Sequence, residues 1–171
     1  MKKKFNSCTL LLLTAFSTSI FAQTGPKYDQ QLNISGYFGL VHPIATLQGG
    51  DVRMNFDDSY SIGFVTGINF QKNPKYGYTL EIVPTIVSTS KASSVKNIVV
   101  QPGVYFPFRN GWKFTNRLSF ETSGRYGVTP SISKVLIKGS HPLALTIPIS
   151  LRFGNEQDFS LGSAVLFTVA I

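Results

Sequence analysis

Residues Leu143 to Phe153 read LALTIPISLRF. The odd positions Leu143, Leu145, Ile147, Ile149, Leu151 and Phe153 are all large and apolar. The even positions Ala144, Thr146, Pro148, Ser150 and Arg152 are small or polar. Successive side chains of a strand point to opposite faces, so strict alternation describes a β-strand with two unlike faces. The apolar face of such a strand can turn toward a protein core or toward lipid.

The same period recurs along the chain. Even positions are apolar in LNISGYFGLVHPI (Leu32, Ile34, Phe38, Leu40, Ile44) and in YSIGFVTGINFQ (Tyr60, Ile62, Phe64, Ile68, Phe70). They are apolar again in YGYTLEIVPTIV (Tyr76, Tyr78, Leu80, Ile82, Ile86) and NIVVQPGVYFPF (Ile98, Val100, Val104, Phe106, Phe108). WKFTNRLSFETSGRY sets Trp112, Phe114, Leu118, Phe120 and Tyr126 against Lys113, Thr115, Arg117, Ser119, Glu121, Ser123 and Arg125. The last segment, FSLGSAVLFTVAI, places Phe159, Leu161, Val165, Phe167, Val169 and Ile171 opposite Ser160, Gly162, Ala164, Thr168 and Ala170. These are seven strand patterns with no competing helical period.

An eighth strand is expected in TPSISKVLIKG, 129–139, where the alternation is poor. Ile132 and Leu136 share a face with Lys134 and Lys138, and the apolar phase changes from even to odd across this region. A register change or bulge is expected there. Pro148 cannot donate to a strand ladder, so it marks a further bulge or a gap in pairing.

Connections follow from the same phase. Phe108 and Trp112 must share a face, so Arg109–Asn110–Gly111 is expected as a three-residue loop, a type I turn closed by left-handed Gly111. KNPKYG and FGNEQDF are short turns. Longer connections are expected at 46–59, at 88–96 and after Tyr126.

The N-terminus reads as an export signal. Lys2, Lys3 and Lys4 precede an apolar stretch ending at Phe21, with a small residue, Ala22, at the expected cut. Residues 1–22 are therefore expected as a signal peptide, 23–31 as a short mobile tail and 32–171 as one domain. The single cysteine, Cys8, lies within the signal, so no disulfide is expected in the exported chain. Loss of Lys2, Lys3 and Lys4 with the signal takes the formal charge from +8 to +5, and the remaining basic side chains form no clustered run. In an exported chain this charge suits anionic lipid headgroups rather than nucleic acid.

Beyond the signal no apolar run approaches the roughly 20 residues of a spanning helix, so any membrane crossing must use strands closed into a barrel. The charge distribution chooses between the two senses of the apolar face. If that face pointed inward, as in a lipocalin-like soluble barrel, the outer surface would be Gly, Ser, Thr and Ala. Soluble surfaces are about 25–35% charged, yet Phe159–Ile171 carries no charge. If it points outward to lipid, the small residues fill a narrow interior. Glu81, Arg117, Glu121, Arg125 and Arg152 then all face inward. Aromatic residues bracket the turns, where interfacial girdles belong.

The signal, the period-2 strands and the alternating C-terminal strand resemble small outer-membrane β-barrel proteins of Gram-negative bacteria. The resemblance implies an all-β fold, a single closed antiparallel up-and-down transmembrane barrel of eight strands. It also implies outer-membrane localisation and recognition of the last strand by the assembly machinery. Val165, Phe167 and Val169 match the alternation of that strand's assembly signal, and the terminal Ile171 departs from its usual aromatic.

The candidate site is the interior charge set of Glu81, Arg117, Glu121, Arg125 and Arg152. Arg117, Glu121 and Arg125 are spaced by four, roughly 13 Å along a strand, so direct contact among all three is excluded and partners from other strands are required. The default role is a hydrogen-bonded plug; the alternative is a narrow, porin-like passage for small solutes. A lipid-modifying enzyme would need His42 or His141 beside a serine (Ser88, Ser90 or Ser140 near loop ends) and an acid. Calcium would draw on Asp51, Asp57 and Asp58, but their spacing matches no EF-hand pattern and a solvated loop is the default. The expectation is a structural or loop-mediated role in the bilayer, with no catalytic residue, metal or cofactor, no nucleic-acid partner and an unidentified loop partner.

Overall fold

The computed structural model describes residues 31–57 and 59–171. The expected signal peptide (1–22) and all but the last residue of the expected tail (23–31) lie outside them. Among the described residues there are nine strands: β1 Asn33–Gln48, β2 Asp51–Met54, β3 Tyr60–Asn73, β4 Tyr76–Ser88, β5 Ser93–Pro107, β6 Trp112–Glu121, β7 Tyr126–Ile137, β8 Leu143–Phe153 and β9 Ser160–Ala170. Each pairs antiparallel with its neighbours, and β1 pairs with β9 to close the sheet. The result is an eight-stranded up-and-down barrel with one strand interrupted.

The interruption lies between β2 and β3. Both pair with the same edge of β1, β3 up to Val41–Gly63 and β2 from Ala45–Met54. Five extra residues, Asn55–Ser59, separate the two registers, so β2 continues the line of β3 beyond a local excursion. Asn55 anchors it, donating its backbone N–H to the Ile44 carbonyl at 2.9 Å and exchanging side-chain hydrogen bonds with the Ser61 backbone. The stretch 46–59, expected as a loop, is therefore largely a hairpin. Other expected loops also shrink. The β4–β5 connection is only 89–92, and Tyr126 opens β7 rather than preceding a long connection. Polar composition misled at 46–59 and 88–96, because rim strands can carry polar residues on both faces, and poor alternation misled after Tyr126.

Residues 129–139 do contribute a strand, β7, with Ser131 and Ser133 inward and Ile132 outward. Lys134 is outward at the barrel end, where its ammonium lies 5.0 Å from the Trp112 ring centroid and donates to the Asn110 carbonyl at 2.7 Å. This rim position explains a lysine on the apolar face. The expected irregularity falls between Val135 and Ile137. Around Pro148, pairing with β9 skips from Thr146–Leu166 to Ile149–Ser163 without a change of register. Pro148 thus sits at a gap rather than a bulge.

The loop 109–111 has the expected three residues, with Phe108 N–H donating to the Trp112 carbonyl at 2.8 Å. Its conformation differs. Asn110 (φ 60°) and Gly111 (φ 75°) are both left-handed, and asparagine tolerates that region better than most residues.

Side-chain direction follows the period throughout. Phe38, Phe64, Ile82, Phe120 and Ile147 point outward and are 39–53% exposed. Thr115, Arg117, Ser119, Thr129, Thr146 and Arg152 point inward and are buried. Leu145, Ile147 and Ile149 accordingly share the outer side of β8, opposite the buried Thr146.

Candidate functional site

The interior is built from the inward positions of eight strands, and three layers can be followed from the termini end upward. In the lowest, two tyrosine rings fill the lumen against glycines. A Cβ on Gly67 would fall within the Tyr37 ring, and one on Gly77 within the Tyr105 ring. Glycine is required at these positions because bulky rings need the space across the barrel. Lys113 enters the same layer from β6, with its ammonium 5.3 Å from the Tyr105 centroid and 5.9 Å from that of Tyr37. Tyr105 also donates to Gln71 Oε1 at 3.3 Å.

The middle layer is a buried ion pair. Arg117 Nη2 lies 3.1 Å from Glu81 Oε2, and both side chains are almost inaccessible. The Tyr37 hydroxyl donates to Glu81 Oε2 at 2.8 Å and accepts from Arg117 Nη2 at 3.2 Å. Arg117 Nη1 reaches Ser131 Oγ at 3.4 Å. Buried charges persist only when paired and hydrogen-bonded; partners from β1, β4 and β7 meet Arg117 here, leaving only its Nε without one. Beside it, Gln101 Nε2 donates to Ser119 Oγ at 2.8 Å and Thr129 Oγ1 at 3.2 Å.

The upper layer joins Glu121 to Arg152, Nε to Oε1 at 2.8 Å. Glu121 also accepts from Asn97 Nδ2 and Ser123 Oγ, each at 2.9 Å. Arg152 Nη1 donates to Thr129 Oγ1 at 3.0 Å and to the Val128 carbonyl at 3.2 Å. Arg125 stands apart from both carboxylates. Its Nη2 donates to the carbonyls of Asp158 (3.0 Å) and Arg152 (3.3 Å) and to Ser160 Oγ (3.0 Å).

The five charges expected in the interior therefore form two separate pairs, Glu81–Arg117 and Glu121–Arg152, plus Arg125 held by neutral acceptors. Neighbours on β6 do not pair with one another, as their spacing requires. Three lumen-filling residues were not among the expected set: Tyr37, Tyr105 and Lys113. The available signal was a bulky side chain on a face otherwise made of Gly, Ser and Thr.

A cavity of about 450 Å³ runs from Arg53 and Gln157 at the loop end down to Glu81 and Arg117. Below that floor, the interior is occupied by the Tyr37, Tyr105 and Lys113 layer.

The histidines lie elsewhere. His42 faces outward, its ring centroid 5.3 Å from those of Phe56 and Tyr60, and its Nδ1 is 3.2 Å from the Tyr60 hydroxyl. His141 Nδ1 is 3.3 Å from the Ala170 carbonyl oxygen. Ser88 Oγ accepts from Ser93 Oγ at 3.0 Å, on the β4–β5 hairpin. Asp57 Oδ2 accepts from the Met54 N–H at 2.8 Å, and Asp58 lies outside the described residues. Among the described residues no three His, Cys, Asp or Glu side chains gather as a metal-binding group.

Comparison with known proteins finds no matching family model, no matching curated protein and no matching solved structure.

Proposed function

We propose that this chain is an integral outer-membrane β-barrel, exported by its N-terminal signal, whose role is structural or exerted through its loop end rather than catalytic or conductive. One observation carries the reading: the barrel is inside-out relative to a soluble protein. Its buried ion pairs and hydroxyls are in the lumen, and its large apolar side chains cover the outside. The barrel strands run from 10 residues (β6) to 16 (β1), enough for the roughly 9–11 residues of a tilted spanning strand.

Two aromatic groups lie toward the ends of the outer surface, with Phe38, Phe64 and Phe167 among the aliphatic residues between them. Tyr76 with Tyr78 and Phe106 with Phe114 lie toward the termini end, and Tyr126, Phe153 and Phe159 toward the loop end. Such girdles suit the two interfaces of a bilayer. At the termini end, Lys72, Lys75, Arg109, Lys134 and Lys138 supply a basic collar suited to anionic headgroups. The alternating β9 is the segment offered to the assembly machinery.

Heat-modifiable gel migration tests the membrane barrel: the unboiled protein is expected to migrate differently from the boiled protein, and identical mobility refutes it. Planar-bilayer recording tests closure by the Tyr37, Tyr105 and Lys113 layer. No single-channel steps are expected. Clear steps altered by Arg117→Ala would favour solute passage instead.

A further inference from the structure

The cavity above the Glu81–Arg117 floor combines an apolar cluster with polar residues, Thr85, Lys96, Asn97 and Gln101 lining it from the same strands as the cluster. Val41, Val65, Val83, Val99 and Leu166 come from the contiguous strands β9, β1, β3, β4 and β5 and pack as one apolar cluster. All five line the cavity. The opposite side, from β6 to β8 and the adjoining turns, presents Glu121, Arg125, Arg152 and Thr129. A plug that only filled a lumen would have no need of an apolar cluster beside an open volume, because the small and hydroxyl residues used elsewhere fill it equally well.

The charge lining the cavity is also unbalanced. Among the described residues lining the cavity, Arg53, Lys96, Arg117, Arg125 and Arg152 face only two carboxylates, Glu81 and Glu121. Both carboxylates are already committed, to Arg117 and Arg152. Arg125 makes contacts only with neutral acceptors, and its Nε, like that of Arg117, is buried without a partner. A partly enclosed guanidinium with no carboxylate opposite it is a recognition element for a carboxylate or phosphate oxygen.

We propose that this cavity is a binding site for a small anionic amphiphile, its charged head at Arg125 and its short apolar body against the Val83–Val99–Leu166 wall. The volume lies within the range of small-ligand pockets, about 300–1,000 Å³. The site is enclosed by the strands whatever covers the outside of the barrel. It lies in the lumen alone and is the same for a barrel in lipid or in water.

Calorimetric titration of the purified folded chain in lipid nanodiscs tests it, with empty nanodiscs as the blank. Octanoate is the probe, acetate supplies a head without a tail, 1-octanol a tail without a charge, and octyl phosphate the other head. Octanoate or octyl phosphate is expected to saturate at one per chain, and the tighter of the two identifies the head. Acetate and 1-octanol should each bind at least about tenfold more weakly. Arg125→Gln should weaken the charged probe by about tenfold or more, and Val83→Thr, equal in shape but polar, should weaken it severalfold. Absence of saturable binding by either charged amphiphile overturns the proposal. So does equal binding of acetate, or unchanged affinity in folded Arg125→Gln. If that variant does not fold, the probe comparison on the unaltered chain decides alone.

Discussion

Removing the charge of Glu81 gives the sharpest test of the lumen's energetics. Glu81 is 3% and Arg117 5% exposed, and their charged atoms are 3.1 Å apart. In Glu81→Gln the amide oxygen can still accept from Tyr37, but Arg117 keeps its charge in a buried site with no carboxylate opposite. Lys113, which shares the Tyr37 ring with this cluster, adds a second cation below. Breaking one side of a buried pair costs about 3–5 kcal/mol. The Arg117 contact that is lost contributes roughly 1.5–3 kcal/mol of that, and the stranded buried charge the rest. The folding equilibrium should therefore fall by roughly two to four powers of ten. Replacing both partners, Glu81→Leu with Arg117→Leu, removes the stranded charge and should recover most of the loss. Reversible urea titration in lipid vesicles measures this, using the sole tryptophan, Trp112, as the fluorescent reporter. A loss below about 1 kcal/mol in Glu81→Gln, or a double variant no more stable than the summed single variants predict, would refute a buried pair whose members depend on each other.

Three further outcomes follow from the same structure and assay. Ile82 is outward and 45% exposed near the middle of β4; Ile82→Arg should cost about 2–4 kcal/mol if that surface meets lipid, whereas a water-facing site would change by less than about 0.5 kcal/mol. Gly67→Ala drives a methyl group into the Tyr37 ring and should cost about 1–3 kcal/mol by overpacking; Tyr37→Leu in the same chain should relieve that increment, and an unrelieved loss would place the strain elsewhere. Gly111→Ala should cost about 1 kcal/mol because φ is +75° and the new Cβ meets Val135 at 3.1 Å, while Asn110→Gly should be neutral or slightly stabilising.

The strand-forming segments, their outward faces and the closed eight-stranded architecture were legible in the sequence. A period of two is a local property, and each strand repeats it independently. The odd-out phase of Leu143–Phe153 even signalled the altered register between β7 and β8, since paired residues must share a face. The broken line of β2 and β3 was not legible. Five inserted residues in a polar rim look like any loop until β1 is seen pairing with the segments on both sides.

The interior shows the same division. Alternation alone sent Glu81, Arg117, Glu121, Arg125 and Arg152 inward, and strand spacing forbade contact among the three on and beside β6. Which carboxylate meets which arginine depended on how far each strand is shifted against the next and on which walls meet across the lumen. That decided that Arg117 belongs to Glu81, 36 residues away, rather than to Glu121. It also placed Tyr37 over Gly67 and gathered valines from separate strands into one wall beside Arg125. Those contacts join different strands, and no pattern confined to a single strand encodes the register and spacing between one strand and another.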